Sequence, residues 1–346
     1  MVPVSNAEAK SLRPRTSELG TLVIQTAHLG DVVLTLPLLI RLAEVHGPVD
    51  VVTTLAAAPL AGHHPAVRRV IPFDKHGADR GLRGLMRVGR ALRSIGYARA
   101  ILPHGSVRSA SLAWLSGAGE RTGFAGAPGA PAYTRQVPKP MAGHMSSRLI
   151  ALSGAATAPA RPWLSLTAED RAEAAAWLSA HRIATPFIVL APGSRWGTKR
   201  WPQFRELAMA LPHPIVVIGG PEDGHLAQAI VAAAPGRAQS AAGELGLRAS
   251  AALVDRAALL ISNDSVALHF ATALERPLVA IFGPTVPSFG FGPLGDEPVL
   301  QHDALSCRPC SAHGPPSCPL VHHRCMTELG VARVAAAAMA RLARDA

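Results

Sequence analysis

Thr21-Leu22-Val23-Ile24-Gln25-Thr26-Ala27-His28-Leu29-Gly30-Asp31-Val32-Val33-Leu34 is the stretch from which the fold can be read. Thr21–Ala27 is a short apolar run that stops at a polar, glycine-containing loop, which predicts a buried strand. Beyond the loop His28-Leu29-Gly30-Asp31, apolar residues recur at helical spacing from Val32 to Val45. Val49–Thr53 and Ala100–Leu102 repeat the strand signal, and this alternation implies a parallel sheet with helices on its faces.

Outward from there, glycines and prolines crowd Gly123–Pro140, a helical segment covers His144–Ser153, and Pro159–Pro162 forms a linker. The pattern then restarts. Helix Ala168–His181, strand Phe187–Ala191, helix Trp201–Ala210, strand Ile215–Ile218 and helix Gly224–Ala233 are followed by a short apolar helix ending near Leu253. Strand Leu259–Ser262, helix Ser265–Leu274 and strand Leu278–Phe282 complete the series. With 346 residues the chain exceeds one comfortable core. The expected fold class is therefore α/β, with two Rossmann-like doubly wound lobes facing across a cleft: residues 1–160, residues 161–326, and a C-terminal helix over 327–346 that packs back on the first lobe. Ligands of such sheets bind outside the carboxyl ends of the strands.

Composition narrows the partners. The 34 Lys+Arg against 23 Asp+Glu give a formal charge of +11, which favours an anionic partner. The basic residues are scattered, and aromatic residues make up 4%, so there is no stacking platform and nucleic acid is not expected. Residues 1–20 are polar, and the first apolar run is too short for a signal or spanning segment, so a cytoplasmic protein is expected.

Four loops at the carboxyl ends of predicted strands carry the chemistry. In the first, Gly30 permits close approach of the backbone, and Asp31 either projects toward a ligand or caps the following helix. The second, Ala191-Pro192-Gly193-Ser194-Arg195-Trp196-Gly197-Thr198-Lys199-Arg200-Trp201-Pro202, offers Ser194, Thr198 and Lys199 ahead of a helix. Amides, hydroxyls and a mobile cation suit a diphosphate. The third, Gly219-Gly220-Pro221-Glu222-Asp223, puts Glu222 where dinucleotide folds bind a ribose. The fourth, Ser262-Asn263-Asp264-Ser265-Val266-Ala267-Leu268-His269, is a strand-to-helix turn whose amides can hold an oxyanion, with His269 one turn on.

These segments, with Leu36-Pro37 and Phe282-Gly283-Pro284-Thr285, occur in an order that resembles glycosyltransferase family 9, the ADP-heptose:lipopolysaccharide heptosyltransferases. The resemblance runs from about Thr21 to Met326. It implies a GT-B fold with the acceptor lobe first, and inverting transfer of heptose from ADP-heptose to an anionic glycolipid of the lipopolysaccharide inner core. It further implies Asp31 as general base, Lys199 and the helix N-terminus at Ser265 on the diphosphate, Glu222 on the nucleoside, and Asp264 and His269 toward the donor. Gly30, Arg108 in His104-Gly105-Ser106-Val107-Arg108-Ser109, and Arg121 become the acceptor contacts. Peripheral association with the inner membrane goes with such an acceptor. Val266 stands where family members carry glycine after the Asp-Ser pair. The nucleotide lobe has no Asp-x-Asp pair, so no cofactor is required for the chemistry.

Cys307, Cys310, Cys318 and Cys325 are the chain's only cysteines. Their spacing fits a structural zinc or iron site, and it equally fits reduced thiols packed in a proline-rich loop. Alternatives in the same fold are another nucleotide sugar or acceptor, or a non-transferring epimerase. A dinucleotide oxidoreductase lacks support, because the first strand does not end in Gly-x-Gly-x-x-Gly.

Overall fold

A computed structural model describes residues 20–155 and 159–344. Most of the polar stretch 1–20, on which the cytoplasmic expectation partly rests, lies outside the described residues, as do residues 345–346. The chain divides into two compact units.

The sheet of the first unit contains β1 (Thr21–Gln25), β2 (Val49–Thr53), β3 (Val67–Pro72), β4 (Arg99–Leu102), β5 (Glu120–Phe124) and β6 (Arg135–Val137), all parallel, in the order β3-β2-β1-β4-β5-β6. The intervening helices are α1 (Leu29–His46), α2 (Ala58–Gly62), α3 (Gly81–Ile95) and α4 (Val107–Leu115), with α5 (Met145–Ile150) following. β1 and β2 are buried at every position, which is why their apolar runs are readable. The edge strands β3 and β6 expose several positions, and β6 with the last two residues of β5 falls within the glycine- and proline-rich stretch expected to be loop.

The second unit repeats the design. Its strands β7 (Ile188–Ala191), β8 (Ile215–Val217), β9 (Ala238–Ser240), β10 (Leu259–Asn263), β11 (Leu278–Phe282) and β12 (Val299–Gln301) lie parallel in the order β12-β11-β10-β7-β8-β9. The helices are α6 (Ala168–Ala180), α7 (Phe204–Ala210), α8 (Gly224–Ala233), α9 (Leu247–Arg256), α10 (Val266–Leu274), α11 (Arg324–Thr327) and α12 (Val331–Ala343). Thr167 and Asp170 form a capping box that starts α6, and Asp170 also binds Arg248 of α9. Phe187, Phe270 and Phe282 are fully buried, each contributing roughly 1.5–3 kcal/mol through removal of apolar surface from water.

The two units are not cut at a single point in the sequence: His28–Pro37, the opening turns of α1, and Pro140–Ile150 cluster with the second unit. α12 packs on α7, β10 and β11, where Val334 and Ala338 are part of the second core.

In each sheet the strand order reverses once, between β1 and β4 and between β7 and β10. Helices leave such a pair in opposite directions, opening a crevice at the carboxyl ends.

Candidate active site

At the β7/β10 crevice, Lys199 Nζ donates to Asp264 Oδ2 at 2.6 Å, and Thr285 Oγ1 donates to the same oxygen at 2.7 Å. The two charged side chains are about nine-tenths buried, at 13% and 9% exposed. Desolvating an ion pair is tolerated when further hydrogen bonds complete it, as the Thr285 hydroxyl does here. Asp264 thus serves first to hold the lysine. Ser194 Oγ donates to the Asp264 carbonyl at 3.3 Å, and Arg200 Nε donates to the Ser194 carbonyl at 2.9 Å, so the β7 loop is stitched to the β10 turn.

The turn is fixed from beneath by Asn263, whose side chain is fully buried. Its Nδ2 donates to Pro192 O at 2.7 Å, and its Oδ1 accepts from Trp201 N at 3.1 Å. Ser262 Oγ and Ser265 Oγ lie 3.1 Å apart, and Ser265 is the N-cap of α10 without a side-chain cap bond. The first amides of α10 and their partial positive charge therefore stand beside the Lys199 pair. Val266, the first residue of the helix, is half-buried.

Thr198 is buried, and its hydroxyl faces away from a ligand role: Oγ1 donates to Pro315 O at 2.5 Å, while His323 Nε2 donates to Thr198 O at 2.7 Å. The segment after β12 thereby clamps the Lys199 turn. Glu222 is exposed on the loop after β8. The neighbouring Asp223 is buried: it accepts from Gly220 N at 3.2 Å and pairs with Arg200 at 3.6 Å, and desolvation raises its carboxyl above the usual range. A Cβ on Gly193 would lie 2.3 Å from Asp223 Oδ2, so only glycine lets the β7 loop close over that carboxylate.

His269 lies on α10, wholly buried, and burial pushes its imidazole down to about 4 despite the opposing field of Asp264. It is neutral at pH 7, and its Nδ1 has no hydrogen-bond partner among the described residues. A Cβ on Gly30 would come within 2.8 Å of His269 Cδ2, so the opening turn of α1 can sit on α10 only with glycine there. His144 contributes to the same electrostatic environment. It contacts Gly292 O at 3.2 Å and Ser146 Oγ at 3.0 Å, and its pKa is lowered to about 4, chiefly by burial. Asp31, half-buried in the first turn of α1, accepts from His28 N at 3.1 Å through Oδ2, a capping bond that also aims the carboxylate. Gly30, Asp31, Lys199, Asp264, Ser265 and His269 thus all belong to one compact unit.

The β1/β4 crevice of the first unit is knit by hydroxyls and an imidazole, with two cations beside them. Thr26 Oγ1 and Ser109 Oγ lie 3.1 Å apart, Ser106 Oγ is 3.0 Å from Ser109 Oγ, and His104 Nδ1 is 3.5 Å from it. Lys75 Nζ donates to Thr26 O at 2.7 Å, and exposed Arg108, in the first turn of α4, reaches Lys75 O at 3.3 Å. Arg121 lies near the start of β5, at the opposite end of that strand from the crevice, and its guanidinium donates to Ala132 O and Ala118 O at 2.7 Å each, tying two loops together.

The four cysteines are free thiols. Among the described residues no group of three or more His, Cys, Asp or Glu side chains is arranged to hold a metal ion, so the site expected from the spacing is not seen there. The thiols nevertheless share one neighbourhood: Cys325 is part of the second core, desolvation pushes its thiol up to about 11, and Cys310, Cys318 and Cys307 add to the rise. Desolvation, and then Cys307 and Cys318, raise the Cys310 thiol. The loop is braced instead by Arg308, which donates to the carbonyls of Gly283, His302 and Thr285. Among the described residues no helix is long and apolar enough to cross a membrane.

The model of glycosyltransferase family 9 (heptosyltransferase) matches residues 85–317. Lipopolysaccharide heptosyltransferase 2 of Escherichia coli K12 is 30% identical over 322 residues, covering 83% of this chain and 87% of that protein. The crystal structure of a glycosyl transferase family 9 protein from Veillonella parvula superposes with a TM-score of 0.81 at 26% identity, over 94% of this chain and 98% of that one. The structure of Escherichia coli ADP-heptose LPS heptosyltransferase II gives 0.77 at 23% identity, over 94% and 99%. The chain belongs to glycosyltransferase family 9, is a transferase, and has the GT-B fold.

Proposed function

We propose that this family 9 enzyme transfers heptose from ADP-heptose to the inner core of lipopolysaccharide with inversion at the anomeric carbon. The observation that carries the reading is the buried Lys199–Asp264–Thr285 constellation beside the uncapped start of α10, at the crevice of a doubly wound sheet. An acceptor hydroxyl oxygen attacks the anomeric carbon, the bond from that carbon to the diphosphate oxygen breaks, and ADP leaves with the electron pair. The Asp31 carboxylate takes the hydroxyl proton.

Lys199 has three donors, one of which is committed to Asp264; the other two, with the α10 amides, would bind the charge that grows on the leaving diphosphate. Asp264 keeps that ammonium in place and limits its rotamers. Glu222 would accept from the nucleoside. Arg108, in the first turn of α4, would bind anionic groups of the acceptor, and a lipid-linked acceptor implies work at the inner membrane face. The Cys307–Cys325 segment acts through Thr198 and needs no metal in this scheme.

The test is transfer to deacylated core lipopolysaccharide with ADP-heptose, and with other nucleotide sugars as competitors, reading the product's anomeric configuration by NMR. Retention of configuration, or preference for another donor, overturns the reading. Donor turnover without acceptor would point to an epimerase.

A further inference from the structure

From Arg80 to Gly119 the sequence holds seven arginines and no aspartate or glutamate. The stretch folds into α3, β4 and α4, and the two helices share one core through Val88 and Leu92 of α3 and Ala110, Leu112 and Ala113 of α4. What remains outside has an uncommon composition. The solvent face of α3 carries Arg83, Arg87, Arg90 and Arg93, all exposed, following Arg80 at its N-cap, and Arg87 alone of these reaches back to Asp79. A helix that only needed solubility would mix both signs to gain pairs three and four residues apart. Alongside it, α4 exposes Val107 and Trp114, at 61% and 63%, with the cation Arg108 next to Val107, and Leu82 at the start of α3 is 72% exposed.

We infer that the outer α3–α4 face of the first unit docks on the surface of an anionic phospholipid bilayer. The argument is charge and shape of polarity together. A negatively charged leaflet attracts arginines within a Debye length, and tryptophan with aliphatic neighbours enters the headgroup layer, where an amphipathic ring is at home. Neither half is enough alone, because weak apolar insertion and weak Coulomb attraction become stable binding only in combination. The contact is peripheral, since among the described residues no helix can span. The inference deepens the membrane-face reading of the proposed function by naming the surface that makes the contact, and it stands whichever sugar is transferred.

The experiment is co-sedimentation of the full chain with phosphatidylcholine vesicles, with and without phosphatidylglycerol, at low and raised salt. Binding is expected only with phosphatidylglycerol and should weaken with salt. Replacing Arg83, Arg90 and Arg93 together by Gln should reduce partitioning on the order of a hundredfold. Trp114→Ala should reduce it less, and quenching by brominated lipid, present in the wild type, should fall in that variant. Both variants are expected to keep wild-type circular dichroism and transfer to deacylated acceptor, which separates this inference from the transferase reading. Equal binding to both vesicle types, or an arginine variant that binds as well as wild type, overturns it.

Discussion

The two crevices occupy equivalent places in their sheets, yet one is held by a buried ion pair and the other by hydroxyls. Between β7 and β10, Lys199 and Asp264 lie 2.6 Å apart and largely dry. Between β1 and β4, Thr26, Ser106, Ser109 and His104 exchange neutral hydrogen bonds. The same topology therefore allows two kinds of rigidity. A buried charge has a place to be only if its partner is there, so the second crevice is preorganised for an anion before any ligand arrives. Hydroxyls can be re-paired at little cost, so the first crevice is the more adaptable of the two.

This contrast can be broken at several points. The largest effect is expected where the chain leaves β1: Asp31→Asn should lower kcat by about two to four orders of magnitude while donor affinity, measured by calorimetry, is kept. If donor binding falls equally, Asp31 is a cap and not a base. Next, Asp264→Ala should cost about 3–5 kcal/mol in urea unfolding, because it strands a buried ammonium, whereas Lys199 and Asp264 replaced together by Met and Leu should recover much of that loss without recovering activity.

The third comparison uses pH. The pKa values of His269 and His144 are depressed to about 4, well below that of an unfolded imidazole. The unfolded chain then binds more protons than the native one between about pH 6.5 and 4, so stability is full above that window and falls as pH drops through it. Urea midpoints should decline on acidification, by on the order of a few kcal/mol in all, and His269→Gln with His144→Gln should flatten the slope. Smaller again, Arg108→Gln should raise the acceptor KM about tenfold with kcat preserved, whereas Arg121→Gln should cost about 1–3 kcal/mol of stability and leave KM alone. Least of all, Ser109→Ala in the first crevice should cost about 1 kcal/mol.

The central strands were legible because burial on both faces leaves an apolar run, as in Leu22–Ile24 or Leu259–Ile261. β3 and β6 were not, since edge positions meet solvent and lose that signal. The loops of the site were legible from small residues and a lysine ahead of helices, but their wiring was not. Asn263 joins Pro192 and Trp201 across 71 and 62 residues, and Asp223 reaches Arg200 from another loop. For Arg121, a basic residue beside an apolar strand does not disclose which end of the strand it occupies, here the start of β5. The cysteine spacing disclosed that the thiols gather, as their mutual influence on Cys325 bears out, but not their depth, and Cys325 is 5% exposed within the core.

Asn263 also limits what can replace it. Its amide gives a proton on one side and receives one on the other, so its oxygen and nitrogen cannot exchange places without setting two donors or two acceptors against each other. Aspartate has the outline but lacks the N–H, leucine has the bulk and neither function, and glutamine overshoots by one methylene. A side chain wholly buried beneath the turn is thus fixed in identity through hydrogen-bond parity alone.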